Sequence, residues 1–284
     1  MTGSVLVVIG VGGMGEAIAR RLGSGRPTLI ADHDAERVES LREQLRHSGY
    51  DVHAQRVDVV CRDSLSALAA TAGELGDITS VVHTAGVSPA QAPAQQIVDV
   101  DLVGTALSLE VFGSVIAPGG AGVYIASVAG HILGAAVDQA AAALLSGGTP
   151  DELAGAAIFD MPDVPDDLAR ALTYGYCKRG NQLRVQTAAP LWGDRGARVN
   201  SVSPGVVATA MGWEEFNADF AHQAYEAMIR DSAAGRFGTA EDVAAAAEFL
   251  LDNSKSSFIT GTDLLVDGGV VAGLRSGRVG MAGV

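Results

Sequence analysis

Tyr174 and Lys178 stand four residues apart in the run Tyr174-Gly175-Tyr176-Cys177-Lys178. On a helix that spacing sets both side chains on one face, with Cβ atoms about 6 Å apart. A free phenol titrates near 10 and is a poor acid-base group at neutral pH unless its anion is stabilised. A lysine ammonium roughly 5 Å away, at an effective dielectric of about 20, favours the phenolate by about 3 kcal/mol, or about two pKa units. Such a pair could exchange a proton with a substrate oxygen. Taken alone, Tyr-x-x-x-Lys equally describes two side chains covering a helix surface, so its meaning depends on its company.

A second constellation lies near the start. Gly10-Val11-Gly12-Gly13-Met14-Gly15 directly follows an apolar run and opens a helix-patterned segment, the context in which Gly-x-Gly-x-x-Gly has a mechanism. Gly10 can turn tightly, Gly12 lets backbone N–H groups approach a pyrophosphate, and Gly15 permits close helix packing, with the helix N-terminus adding partial positive charge. Asp32 lies 22 residues after Gly10, at the end of the next apolar run. A carboxylate there can accept from the ribose hydroxyls of a dinucleotide and would repel a 2′-phosphate, so NAD is favoured over NADP. The other reading is that Asp32 caps the helix beginning near Asp34. Asp58, at the end of the third run, either reaches an adenine edge or serves a turn.

The elements that must position these groups alternate regularly. Strands are expected at Ser4–Ile9, Thr28–Ala31, Val52–Val59, Thr79–Thr84, Gly122–Ala126, Arg198–Val202 and Phe258–Val266, with helical stretches between them. One of those helices, Asp34–Arg46, carries Val38, Leu41 and Leu45 on one side. This alternation predicts an α/β fold: a Rossmann-like, doubly wound parallel sheet in a three-layer α/β/α arrangement, as a single domain over 1–284. Residues 131–167 break the rhythm with an Ala/Leu-rich stretch and a Pro/Asp-rich stretch. We read them as an insertion with one or two short helices, either a surface excursion or a lid or subunit contact.

Composition narrows the function classes. Thirty-three acidic against 19 basic residues give a formal charge of -14 without a basic run, which argues against nucleic acid as a partner. Cys61 and Cys177 are too few for a disulfide framework, no apolar stretch reaches membrane-spanning length, and Met1-Thr2-Gly3 leads straight into a strand. The expectation is a cytoplasmic protein without membrane or metal partners.

Further motifs carry a family resemblance. His83-Thr84-Ala85-Gly86, Ile125-Ala126-Ser127, Tyr174 with Lys178, and Arg198-Val199-Asn200-Ser201-Val202-Ser203-Pro204-Gly205 followed by Thr209 occur in this order. Gly235-Arg236-Phe237-Gly238, Ile259-Thr260-Gly261 and Val266-Asp267-Gly268-Gly269 follow. From about Ser4 to Gly269 the chain resembles the short-chain dehydrogenase/reductase family of the classical type. The resemblance implies that Ser127 bonds the substrate oxygen, that Tyr174 exchanges its proton, and that Lys178 also binds the nicotinamide ribose. It implies as well that Pro204, Gly205, Val207 and Thr209 close over the nicotinamide, that Ala85 and Gly86 flank the cofactor, and that the chain forms a homodimer or homotetramer. Together with Gly10, Gly12, Gly13, Met14, Gly15, Asp32, Asp58 and Val59, these residues form the expected cofactor-binding set.

Four departures qualify the pattern. The glycine loop is one residue tighter than the family's Thr-Gly-x-x-x-Gly-x-Gly, and Ile9 replaces its threonine. Asp101, in Val100-Asp101-Leu102, stands where the family's proton relay has asparagine; it either joins that relay, pairs with Lys178 or is a satisfied helix residue. Ser127 and Tyr174 are 47 residues apart instead of about a dozen. His83 and Thr84 replace two asparagines, and both His83 and His131 are expected to be structural, His83 hydrogen-bonded within the sheet. A lid at about 206–232 is expected to choose the substrate, through Met211, Trp213, Phe216 and Phe220 if these face a ligand and not the core. The leading expectation is an NAD-dependent oxidoreductase acting on a lipophilic secondary alcohol or ketone. The alternatives are a non-catalytic NAD-binding sensor or scaffold, or an NAD-retaining lyase or epimerase.

Overall fold

In the computed structural model, which describes residues 3–280, seven parallel strands form one sheet in the order β3-β2-β1-β4-β5-β6-β7. The strands are β1 (Ser4–Ile9), β2 (Thr28–Asp32), β3 (Val52–Arg56), β4 (Asp77–His83), β5 (Ala121–Ile125), β6 (Arg198–Pro204) and β7 (Asp263–Val266). The first five helices are α1 (Gly13–Leu22), α2 (Ala35–His47), α3 (Arg62–Leu75), α4 (Ala94–Ile97) and, after a π-helical segment Val98–Val103, α5 (Gly104–Val115). Next come α6 (Val128–Leu133), α7 (Gln139–Gly147), α8 (Pro150–Ala154) and the long α9 (Asp166–Gly193). The last are α10 (Ala210–Phe216), α11 (His222–Asp231), α12 (Ala240–Leu251), α13 (Asn253–Ser256) and α14 (Val270–Arg275).

A sheet covered on both faces requires apolar side chains on both, and Val5 through Ile9 and Leu29 through Ala31 are all buried. Their alternation divides them between two cores. Val5, Val7 and Ile9 pack with Leu65 and Leu68 of α3, Phe112 of α5 and Trp192 of α9. Leu6 and Val8 pack on the other face with Ile18 of α1, Leu41 of α2 and Leu250 of α12. The expected doubly wound, three-layer α/β/α architecture is the one observed.

Element boundaries differ from expectation where side chains replace ladder bonds. β3 stops at Arg56, because the Asp58 carboxylate accepts from Val60 N–H at 3.1 Å and turns the chain toward α3. β7 begins at Asp263 instead of Phe258. The Ile259 carbonyl accepts from the side chains of Arg198 (3.0 Å) and Asn200 (2.9 Å), and Gly261 takes a left-handed φ of 70°. Phe258 itself is fully exposed.

Residues 131–167 comprise the end of α6, α7, α8, short 3-10 turns and the first two residues of α9. Leu145 and Leu153 from this region are fully buried in the same core as Leu102 and Cys177, so α7 and α8 are seated on α9 and the π-helical segment. Trp192 anchors the neighbouring layer: it is buried, donates from its indole N–H to the Leu109 carbonyl at 3.2 Å, and meets Tyr124 edge-on. Trp192→Ala is expected to lower stability by about 3–5 kcal/mol, read from urea unfolding. A loss below about 1 kcal/mol would contradict this packing.

Candidate active site

The segments carrying Gly10–Gly15, Asp32, Asp58, Ala85–Gly86, Ser127 and Pro204–Thr209 emerge at the carboxyl ends of the parallel strands, whereas Tyr174, Lys178 and Asp101 come from helices. The strand order reverses between β1 and β4, so the loops after these two strands diverge and leave a crevice. Gly10 takes a φ of 89° there, and a Cβ on it would lie 2.5 Å from the Ala85 nitrogen. A side chain would therefore be both strained and blocked. Around Gly12, by contrast, a Cβ would meet nothing within 4 Å. Gly12 is also the N-cap of α1 and offers no side-chain acceptor, leaving the first amides of the helix to an outside anion. Thr84 stabilises the turn by donating its hydroxyl to the Gly10 carbonyl at 2.8 Å.

Asp32 is buried at the end of β2, where its carboxylate accepts from Val11 N–H at 2.8 Å and Asp34 N–H at 3.1 Å. The cap of α2 is Asp34, whose side chain accepts from Glu36 and Arg37 N–H, and not Asp32. Asp32 is thereby fastened to the glycine loop itself. Asp58 is occupied in its turn, and the Val59 side chain packs in the core, where a Cβ on Gly104 would meet it at 2.8 Å. The two lie past the end of β3, next to β2.

At the other end of the crevice Ser127 is the N-cap of α6, accepting from Ala129 N–H at 3.1 Å. Its backbone is held from behind: Gln182 donates to the Ser127 carbonyl (3.2 Å) and to Ser203 Oγ (3.0 Å), and Ser203 donates to Asp263 (2.9 Å). Asp263 in turn pairs with His131 Nε2 at 2.6 Å. This gives His131 a structural place that no spacing in the sequence signals. The seating of α6 against α9 brings Ser127 and Tyr174 to line one cavity despite their 47-residue separation.

Tyr174 and Lys178 share a face of α9, with Lys178 Nζ 5.3 Å from the centre of the tyrosine ring. The expected depression of the phenol pKa is not what this arrangement produces. Burial, and then the charges of Glu215 and Asp101, hold Tyr174 well above its ordinary value, with the Ser127 hydroxyl opposing. Lys178 has its own counter-ion in Asp101, 3.4 Å away and fully buried. The π-helical segment carries Asp101 to this point, where Oδ1 also accepts from Val87 N–H at 3.1 Å. A Cβ on Gly86 would lie 2.4 Å from Asp101 Oδ1, so only glycine leaves room for the pair. Burial raises Asp101 to about 6, with Lys178 and the Val87 N–H opposing.

A cavity of about 290 Å³ opens over Tyr174 and Ser127, and Met14, Pro204, Gly205, Val207 and Thr209 line it too. Thr209 caps α10 by accepting from Gly212 N–H at 3.1 Å, and a Cβ on Gly13 would meet its methyl at 2.8 Å. The loop after β6 thus closes onto the glycine loop. Met211 and Phe220 line the cavity, whereas Trp213 and Phe216 pack with Phe237, at 4.6 and 5.3 Å between ring centres. Half of the expected apolar lid is therefore a separate cluster. Glu215 and Tyr225 line the cavity instead. They stand on different helices, so no sequence spacing could join them. His83 stacks on Tyr124 at 5.4 Å, and its buried ring nitrogens have no hydrogen-bond partner, contrary to expectation; burial lowers it to about 3 and keeps it neutral.

Comparison with known proteins agrees with this fold. Residues 4–142 match the family model described as short chain dehydrogenase, and residues 168–271 match the one described as Enoyl-(Acyl carrier protein) reductase. The chain is 37% identical to the short-chain dehydrogenase/reductase bsc3 of Alternaria brassicicola, over 96% of this chain and 97% of that one. It is 31% identical to the D-threitol dehydrogenase of Mycolicibacterium smegmatis, over 95% and 93%. The structure of a short-chain dehydrogenase/reductase from Serratia marcescens shares the fold, with a TM-score of 0.72 at 22% identity over 95% of this chain and 98% of that one. The chain belongs to the short-chain dehydrogenase/reductase family. It is an oxidoreductase acting on CH–OH groups with a nicotinamide cofactor. The open ground over Gly12, the uncapped α1 amides and the Asp32 carboxylate fit the phosphates and ribose of such a dinucleotide.

The buried Asp101 makes stability depend on pH in a defined direction. Its folded pKa of about 6 lies above the unfolded value, so its contribution falls as pH rises from the ordinary carboxylate range through about 6, and is level beyond. In urea unfolding, the stability of the native protein relative to Asp101→Asn should decline across that window. A difference that grows with pH would show that the carboxylate is stabilised by Lys178 more than burial opposes it.

Proposed function

We propose that the protein is an NAD(H)-dependent oxidoreductase that interconverts a lipophilic secondary alcohol and its ketone, with Ser127, Tyr174 and Lys178 as catalytic residues. The observation that carries this reading is the convergence of Ser127 and Tyr174 on one largely apolar cavity that reaches the glycine loop. Met14, Val128, Ile132, Leu168, Met211 and Phe220 supply that apolar lining.

The bound cofactor supplies the hydride acceptor or donor. In the reducing direction Ser127 donates a hydrogen bond to the ketone oxygen, and the Tyr174 hydroxyl delivers the proton as charge builds there. In the oxidising direction the Tyr174 phenolate takes the alcohol proton. Lys178, held by Asp101, places its positive charge beside the tyrosine ring and offers donors to the nicotinamide ribose. Pro204, Gly205, Val207 and Thr209 enclose the nicotinamide end, Gly10, Gly12, Gly13, Met14 and Gly15 the pyrophosphate, and Ala85 and Gly86 flank the middle. Asp32 selects NAD through the adenosine ribose hydroxyls, with Asp58 and Val59 beyond it toward the adenine. We assign the working form to a cytoplasmic homodimer or homotetramer, with residues 131–167 beside α9 influencing how subunits meet; light scattering reads the state.

Incubation with NAD or NADP and a panel of secondary alcohols, followed at 340 nm, tests the activity. Tyr174→Phe should lose about 10²–10⁴-fold in kcat, and full activity in that variant would end the proposal. Asp32→Ala should raise the KM for NAD by about 10- to 100-fold, the worth of a hydrogen bond to a charged group. A native preference for NADP would overturn the role given to Asp32. Because Tyr174 is held protonated by its surroundings, kcat/KM for alcohol oxidation should rise with pH through the alkaline range, while ketone reduction keeps its rate until the phenol ionises. The opposite order of the two profiles would exclude Tyr174 as the proton carrier.

A further inference from the structure

One polar group in the cavity has no part in the proton transfer just described. Glu215 of α10, like Tyr225 of α11, lines the largely apolar chamber. Its Oε1 is sealed from solvent and has no hydrogen-bond partner. A buried, unpaired carboxyl oxygen is costly, and proteins rarely keep one without something that pairs with it. Glu215 lines the same cavity as Tyr174, and its charge helps to raise the phenol.

We infer that Glu215 is a substrate-recognition residue, and that the substrate is a lipophilic alcohol or ketone carrying a second hydroxyl group, which bonds Glu215 while the reacting oxygen lies at Tyr174. The inference rests on the proposed Tyr174 chemistry. Three features of the site select a hydroxyl. No lysine or arginine is among the residues lining the cavity, so a carboxylate or phosphate on the substrate would face Glu215 and Asp167 with no counter-charge. Asp167 is half exposed and engaged by Arg170, which leaves Glu215 as the sealed acceptor. Burial moves Glu215 to about 7, so both protonation states occur near neutral pH. A hydroxyl serves both, donating to the carboxylate or accepting from the acid. A substrate without the hydroxyl leaves the oxygen unpaired and is discriminated against by about 10- to 100-fold.

The test is a ratio: kcat/KM for 2-, 3- and 4-hydroxycyclohexanone over that for cyclohexanone, measured with NADH. The native enzyme should favour at least one hydroxyketone by about 10-fold or more. Glu215→Leu should bring that ratio close to one. Glu215→Gln, which retains hydrogen-bonding capacity, should keep part of the preference, and Tyr225→Phe should keep most of it because the carboxyl remains. The same ratio is read as relative affinity by calorimetry in Tyr174→Phe with cofactor present, so an enzyme inactive on ketones still tests Glu215. Loss of turnover on all ketones would count against the proposed activity alone. A preference that survives in Glu215→Leu, the absence of any preference in the native protein, or stronger selection of an amino- or carboxy-substituted ketone would overturn the inference.

Discussion

The buried pair of Lys178 and Asp101 is the constraint around which the reacting end is built. A lysine with almost no solvent contact needs a counter-charge, and a carboxylate at zero exposure needs one still more. Meeting that need takes a π-helical segment to deliver Asp101, a glycine at position 86 to leave space, and the Val87 N–H to complete the bonding. The same pair fixes the height of Lys178 against the ring of Tyr174. It also withholds from Tyr174 much of the help that a free ammonium would give. Acidity at this site is therefore set by three groups together, and burial is the largest influence on both Tyr174 and Asp101.

Around that pair the sheet acts as a jig. Parallel strands expose their carboxyl ends along one edge, so Gly10, Asp32, Gly86, Ser127 and Pro204 come to one crevice although the chain separates them by up to 194 residues. The network from His131 through Asp263 and Ser203 to Gln182 braces the Ser127 backbone from beneath. Helices α10 and α11 then close the chamber from the opposite side and bring a carboxyl and a phenol into it.

Residues 131–167 bear on the same chamber through Ile132 and Asp167, which line it, and through the core beneath α9. Leu145 and Leu153 join the core beneath α9, so the long separation between Ser127 and Tyr174 does not loosen the site. Ala129 of α6 and Gly175 of α9 remain closely packed, and a Cβ on Gly175 would stand 3.6 Å from the Ala129 carbonyl.

The sequence by itself determined the architecture. Apolar runs long enough to be covered on both faces, separated by helical segments, admit a doubly wound parallel sheet and little else, and the glycine turn and Tyr-x-x-x-Lys spacing are local patterns fixed by backbone geometry. Strand ends were less legible: Ile259 and Asp58 are bonded through side chains that come from elsewhere in the chain or turn back on it. The pairing of Asp101 with Lys178, the upward shift of Tyr174, the stacking of His83 on Tyr124, and the entry of Glu215 in place of Trp213 were decided only by the tertiary structure. Each depends on burial and on charges brought together from separate elements, and neither distance nor desolvation is written in the spacing of residues along a chain.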